Sequence, residues 1–193
     1  EVIPGLLKTK RMMGYVFDGY WEDIGTVGSF WECNLTLTDP VPPFDFFDGS
    51  NPVYTHARYL PTAKLNGCKA NRVLMADGAI VDDSEITRCV IGVRSVVRGG
   101  SRLENVVMMG ADAFERPHDL AKNHALGRPD IGVGPNCVIR NAIIDKNARI
   151  GAGCRRSPIG LPEKWESESL FVRDGVIVVK KGAVVPPGTV VGE

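Results

Sequence analysis

From Arg72 onward, aliphatic side chains return at steps of six along a chain whose intervening positions are small, polar or glycine. Ile80 and Ile86 set the step. After a one-residue deletion Ile91, Val97, Leu103 and Met109 continue it, Val138, Ile144 and Ile150 resume it, and Val178, Val184 and Val190 carry it to the end. A helix repeats at about 3.6 residues and a flat strand at two, so neither demands a step of six. A triangular parallel β-helix does. Each hexapeptide supplies one flat side and one corner, three hexapeptides close a coil, and one aliphatic side chain per hexapeptide points into the prism. The corners need tightly turned backbone, and Gly, Asn and Asp fill the gaps in MADGA, GVRS, RGGS, DKNAR and PPGT. Stacked coils bury a ladder of side chains that no single coil buries alone. The competing arrangement is a sandwich of short strands with glycine-rich turns, and strict spacing in three separate stretches argues against it.

Two segments interrupt the step. Residues 111–130 are polar, include His118 and His124, and read as a loop or short helix ejected from one coil; such an insertion costs little, because closure entropy grows only logarithmically with length. A second polar break runs from Arg155 to Val172 and contains Trp165. Before residue 61 the pattern is different. Val16–Trp21 reads as a strand. The stretch TVGSFWECNLTL places Val27, Phe30, Trp31, Leu35 and Leu37 on one side of a predicted helix, with Thr26 or Ser29 as its cap. DPVPPFDFFDGSNP, rich in proline and aromatics, reads as an ordered linker.

Composition sharpens that boundary. Aromatics make up 7% of the chain and most of them precede residue 61, while Val and Ile dominate afterwards. Lys and Arg number 23 against 23 Asp and Glu, so no long-range field draws the chain toward nucleic acid or an anionic membrane. No apolar run approaches the roughly 20 residues of a membrane span, and no secretory signal is expected. Cys33, Cys68, Cys89, Cys137 and Cys154 are odd in number, widely spaced and without a CxxC pair. They predict small core residues in a reducing, cytoplasmic compartment (a plastid in a plant), not a disulfide scaffold or a zinc ribbon.

GYWEDIGT, Gly19–Thr26, resembles the last characteristic segment of the sugar-nucleotidyltransferase domain of ADP-glucose pyrophosphorylases (glucose-1-phosphate adenylyltransferases). EVIP at the start, RYLPTAK (Arg58–Lys64), MMGAD (Met108–Asp112), IGVG (Ile131–Gly134), IIDKNARIG (Ile143–Gly151) and VRDGVIVVKKGAVVPPGTV (Val172–Val190) match the same family in the same order. The resemblance implies a mainly β chain: a left-handed parallel β-helix of hexapeptide repeats, preceded by the C-terminal remnant of an α/β nucleotidyltransferase domain. It implies boundaries at 1–40 for that remnant, 41–60 for a linker, and 61–193 for a regulatory and oligomerisation domain. The implied activity is formation of ADP-glucose and pyrophosphate from ATP and glucose 1-phosphate, toward glycogen or starch. The partners implied are those substrates, phosphorylated metabolite effectors, and homologous subunits in a homo- or hetero-tetramer. The glycine-rich phosphate loop of the family is not in this sequence, so the residues at hand are expected to be inactive by themselves.

The resemblance also assigns site residues. Asp23, in the W-x-D-x-G pattern, matches a catalytic Mg²⁺ ligand; a hard cation held by carboxylates gathers the phosphate charges that must meet during in-line displacement. A helix cap is the alternative role for Asp23. Glu22 points elsewhere if Val16–Asp23 is extended. Lys146 and Lys181 match lysines that bind phosphorylated activators in plant and cyanobacterial relatives. Arg58 matches an arginine of an anion site between β-helix and catalytic domain, with His56 where relatives carry glutamine. A small, multiply charged anion needs several cations and amide donors to converge. The loop between Gly151 and Phe171 departs from the family's asparagine-rich turn, and Lys180 stands where an apolar residue is common. Fructose 1,6-bisphosphate, fructose 6-phosphate and 3-phosphoglycerate therefore all remain open as activators. Arg155 and Arg156 read as solvated loop charges, and His118 and His124 as exposed loop histidines. Two other function classes compete: a hexapeptide-repeat acyltransferase using acetyl-CoA, against which GYWEDIGT speaks, and a non-catalytic regulatory subunit of the same enzyme.

Overall fold

A computed structural model describes residues 2–192. After helices α1 (Val2–Leu6) and α2 (Val27–Thr36), the chain enters a three-sided coil. One side is a ladder of short parallel strands in the order β1 (Lys64–Asn66), β3 (Ile80–Asp82), β5 (Val96–Val97), β7 (Gly132–Val133), β9 (Arg149–Ile150) and β13 (Val184–Val185). The other two sides come from longer strands, β2 (Lys69–Met75), β4 (Glu85–Ile91), β6 (Arg102–Met108) and β8 (Val138–Ile144), paired parallel in that order. Each of these bends at its middle residue, Arg72, Arg88, Asn105 and Asn141, which takes a left-handed conformation with φ of 55°, 50°, 53° and 48°. The first halves continue into β10 (Arg155–Arg156) and β14 (Val190–Val191), and the second halves into β12 (Val176–Val179). β11 (Leu170–Arg173) adds to β12 antiparallel at the edge.

The repeat works because each corner accepts a left-handed residue. Asn and Asp tolerate that conformation better than most residues, and glycine does so without steric cost. Gly110 shows the demand most sharply: its φ is +88° and a Cβ there would collide with the Val93 carbonyl. Inside the prism, rows of aliphatic side chains stack in register: Val81, Val97, Val133, Ile150 and Val185 on the first side, and Ile86, Leu103 and Ile139 on the second. Ile91, Met108, Ile144 and Val179 form the third row.

The step of six expected from the sequence is present, but its phase differs by one residue at several places. Ile80, Met109, Val138, Val178, Val184 and Val190 are not the inward residues; their neighbours Val81, Met108, Ile139, Val179, Val185 and Val191 are. Val184 and Val190 are 39% and 60% exposed, whereas Val185 is 1% exposed. A one-residue slip moves a strand side chain to the opposite face, and adjacent aliphatic pairs disguise which face is which. On the third side both members of the pair are buried. Val107, Ile143 and Val178 face outward and pack, with Val90 and Met109, against Val27, Phe30, Trp31 and Leu35 of α2.

Helix α2 is as expected, and Thr26 is its cap: the Thr26 hydroxyl accepts from the Ser29 amide, and Ser29 Oγ accepts from the Thr26 amide. Thr26→Ala should cost about 1 kcal/mol, read as a shift in urea midpoint at unchanged slope. The helix is tied to successive coils along the bent corner. The Gly28 amide donates to Asp174 Oδ2 at 3.0 Å, Trp31 Nε1 donates to the Asn105 carbonyl at 2.9 Å, Arg88 Nη2 meets Glu32 Oε1 at 2.5 Å, and Arg72 pairs with Asp39.

Three expectations are corrected. Val16–Trp21 is not a strand: residues 11–25 are irregular, and Val16 and Trp21 are 81% and 73% exposed. An isolated strand has no partner for its amides and carbonyls, so the alternation alone does not hold it. The segment between Gly151 and Phe171 is not loop throughout: it contains β10 and the start of β11. Arg156 is not a solvated loop charge. It stands in register with Ile139 and Val191, inside the prism and 2% exposed.

The ejected segment carries α3 (Pro117–Ala125), and both His118 and His124 on it are exposed. The fully buried Asn123 fastens it, donating to Glu115 Oε1 and Asp130 Oδ1 while accepting from Arg128. Cys89, Cys137 and Cys154 are buried and Cys33 and Cys68 half-buried, all as free thiols. Burial pushes the Cys89 thiol up to about 12, which keeps it protonated and unreactive.

Candidate functional site

The corner that follows β8 and β12 gathers charge. The turn Asp145-Lys146-Asn147 leads into β9, and Lys180-Lys181-Gly182 leads into β13 one coil further on. Val184 pairs with Arg149 and the Gly182 amide donates to the Lys146 carbonyl at 2.8 Å. Lys146 and Lys181 therefore occupy equivalent positions on adjacent coils, separated by the ladder spacing of about 4.8 Å. Asn147 and Gly182 follow them with φ of 61° and 66°, so both lysines precede the same left-handed turn. The six-residue architecture is what brings together two lysines 35 positions apart in the chain.

Asp112 completes this corner from the start of the ejected segment. Lys146 Nζ lies 3.3 Å from Asp112 Oδ1, Asn147 Nδ2 donates to Asp112 Oδ2 at 2.7 Å, and the Asp112 amide donates to Asn147 Oδ1 at 2.9 Å. The hydrogen bond from Asn147, then Lys146 and the more distant charge of Lys181, hold the Asp112 carboxyl below its ordinary range. Lys180, beside Lys181, is engaged elsewhere, with Glu166 at 3.0 Å and the Ser167 carbonyl at 2.8 Å. Among the described residues Lys181 makes no ion pair. Asp112 and Asp145 balance the two ammonium groups in number, but Asp145 Oδ1 accepts from the Lys146 amide and Asp112 pairs with Lys146 alone, which leaves the Lys181 ammonium available to a small anion.

Beside it lies a cleft of about 380 Å³ between the residues leading into α2 and the outer face of the β-helix. Ile24, Gly25 and Phe30 form one wall; Met109, Asp145 and Val178 form the other. These last three stand just before Asp112, Lys146 and Lys181 in the chain, so the cleft and the charged corner share their backbone.

The remaining expected site residues stand apart from this corner. Asp23 is exposed in the irregular segment before α2, close to Gly25, and does not cap the helix, since Thr26 does. Among the described residues no group of three or more His, Cys, Asp or Glu side chains converges. Arg58 and His56 are exposed in the segment before β1, where Arg58 Nη1 donates to the His56 carbonyl at 3.3 Å. Among the described residues no hydrogen bond or ion pair joins either to Lys146 or Lys181. Arg155 is exposed on β10. Asp112 and Asn147 were not singled out in the sequence, although both fall inside matched segments. The usable signal was structural: Asn147 sits at a corner position, where its side chain is free to reach the next turn.

Residues 58–190 match the family model described as the GLGC left-handed parallel β-helix domain, the C-terminal domain of ADP-glucose pyrophosphorylase. The chain belongs to the ADP-glucose pyrophosphorylase family. The three-sided parallel coil is thereby the left-handed β-helix of that family, whose members are nucleotidyltransferases. The match begins at Arg58, in the segment that leads into β1, and ends at the first residue of β14. Among the described residues, no helix is long and apolar enough to cross a membrane.

Proposed function

We propose that this chain is the allosteric and assembly half of a glucose-1-phosphate adenylyltransferase. The whole protein makes ADP-glucose and pyrophosphate from ATP and glucose 1-phosphate, in the service of glycogen or starch synthesis. The observation that carries the proposal is the stacking of Lys146 and Lys181 on one corner of a β-helix of this family. A corner that presents two stacked ammonium groups suits a phosphorylated metabolite, bound by charge-assisted hydrogen bonds. Arg58 and His56 sit in an exposed segment, free to join such a site from the side of a catalytic domain.

Asp23 is the proposed catalytic contribution of this chain. Its carboxylate is exposed and committed to no cap, which fits one oxygen ligand of a Mg²⁺ that takes its other ligands from phosphates and from residues elsewhere in the protein. When bound, such an ion neutralises the phosphate charges brought together in nucleotidyl transfer. Asp23 stands three residues before Thr26, the cap of α2, and the capped first turn of that helix fixes where the Asp23 backbone emerges.

The exposed apolar side chains before residue 61, among them Ile3, Met13, Tyr15, Phe17 and Trp21, belong in this reading against the rest of the catalytic domain. Full-length subunits are proposed to assemble as tetramers. The experiment is direct: full-length protein with ATP, glucose 1-phosphate and Mg²⁺ should release pyrophosphate and form ADP-glucose. A full-length protein that forms none by itself but alters the effector response of a catalytic partner would be the regulatory subunit instead. One that binds acetyl-CoA and transfers its acyl group would overturn the reading.

A further inference from the structure

The lysine corner is already occupied, by a side chain of the protein itself. Asp112 places one carboxylate oxygen 3.3 Å from Lys146 Nζ, and its other oxygen takes the Asn147 amide group at 2.7 Å. A carboxylate held by an ammonium and an amide donor is the same set of contacts that a phosphate oxygen would make there. Resting on the anion-site reading above, we infer that Asp112 is an internal competitor, an autoinhibitory carboxylate that a phosphorylated effector must displace from Lys146. The charged ends are 40% and 55% exposed, and ion pairs this open are weakly held. A ligand carrying two charges, which also reaches Lys181, unpaired among the described residues, can therefore take Lys146 away from it.

The arrangement contains its own two-state element. In one state Lys146 faces Asp112; in the other it faces the anion, and the Asp112 side chain at the end of the turn Gly110-Ala111-Asp112 is released from it. That turn is otherwise anchored by main-chain bonds, the Ala111 amide to the Val93 carbonyl at 2.9 Å and the Asn147 amide to the Gly110 carbonyl at 3.1 Å. Displacement thus concerns the Asp112 side chain and leaves the coil intact. Met109, three residues before Asp112, lines the cleft under Ile24 and Gly25, so the segment that carries Asp112 borders the residues that lead to Asp23.

Asp112→Asn separates competition from support. The substitution keeps the shape and a partner for Asn147 but removes the charge that holds Lys146. Calorimetric titration of the full chain with inorganic phosphate should then give a midpoint roughly five- to tenfold lower than in the unsubstituted protein, the scale set by an exposed ion pair together with the carboxylate–phosphate repulsion that is removed. Adding Lys146→Ala to Asp112→Asn should abolish that gain. If Asp112→Asn binds phosphate no better or more weakly, while Lys146→Ala abolishes binding, Asp112 supports the site and the inference is wrong, though the lysine assignment stands. If neither Lys146→Ala nor Lys181→Ala changes phosphate binding, the lysine assignment fails and the inference with it.

Discussion

Full-length enzyme carrying Asp23→Asn is expected to form ADP-glucose on the order of 100-fold more slowly at saturating ATP and Mg²⁺. The scale is that of removing one group aimed at charge gathered in the transition state. Asparagine fills the same space and keeps an oxygen, but it withdraws the negative charge that draws a divalent cation into place. Folding should be nearly untouched. The Asp23 side chain is exposed, the helix that follows takes its cap from Thr26, and exposed substitutions away from caps and cores usually change stability by less than about 0.5 kcal/mol. A large loss of turnover with an unchanged urea midpoint is thus the signature of the metal role. Turnover within twofold of the unsubstituted enzyme would remove Asp23 from the chemistry.

Arg156→Leu is expected to stabilise the chain, by about 2 kcal/mol. Arg156 fills an interior position that neighbouring coils give to Ile86, Leu103, Ile139 and Val191. Its Nη1 donates to the Thr189 carbonyl at 2.9 Å, but its Nε and Nη2 are buried without a partner among the described residues, and burial lowers the affinity of the guanidinium for its proton. Carrying a charge into a dry prism costs several kcal/mol per ion even after relaxation, and replacing buried ionic groups with well-packed apolar ones is often neutral or stabilising by about 1–4 kcal/mol. Leucine restores the aliphatic row. The Thr189 carbonyl keeps the Arg155 amide as a donor at 3.1 Å, so no acceptor is orphaned. Urea unfolding should show a higher midpoint at unchanged slope. A lower midpoint would mean that the guanidinium has an anionic partner worth more than its burial costs.

The fold was readable because the β-helix writes its geometry into composition: a step of six, and turn-forming residues where the backbone must go left-handed. What could not be read was phase. At Val178–Val179, Ile143–Ile144 and Val106–Val107 both members of an aliphatic pair are buried, one in the prism and one beneath α2 or at the bent corner. A periodicity argument has no means of choosing between them. Val16–Trp21 failed for the opposite reason, since an alternating pattern needs a neighbouring strand and none stands beside it among the described residues. Arg156 was misread because a charged residue in a polar stretch normally faces water; only its register with Ile139 shows otherwise.

The candidate site was half legible. Lys146 and Lys181 were found by their motifs, and the coil stacks them. Asp112 and Asn147 were invisible because their importance is a matter of adjacency across coils: each is an ordinary polar residue until the Asn147 turn is laid against the segment leaving β6. Arg58, His56 and Asp23 lie in exposed, irregular chain, where no local packing fixes them against the lysine corner.

The measurement that bears most directly on the paired lysines is the activation ratio of the full-length enzyme, with and without 3-phosphoglycerate, fructose 6-phosphate or fructose 1,6-bisphosphate, in Lys146→Ala and Lys181→Ala. Each loss should raise the concentration needed for half-activation by at least about tenfold, the scale of losing one charge-assisted contact. An unchanged response to every activator in both variants would show that two cations stacked on one corner are no more than solvated charges.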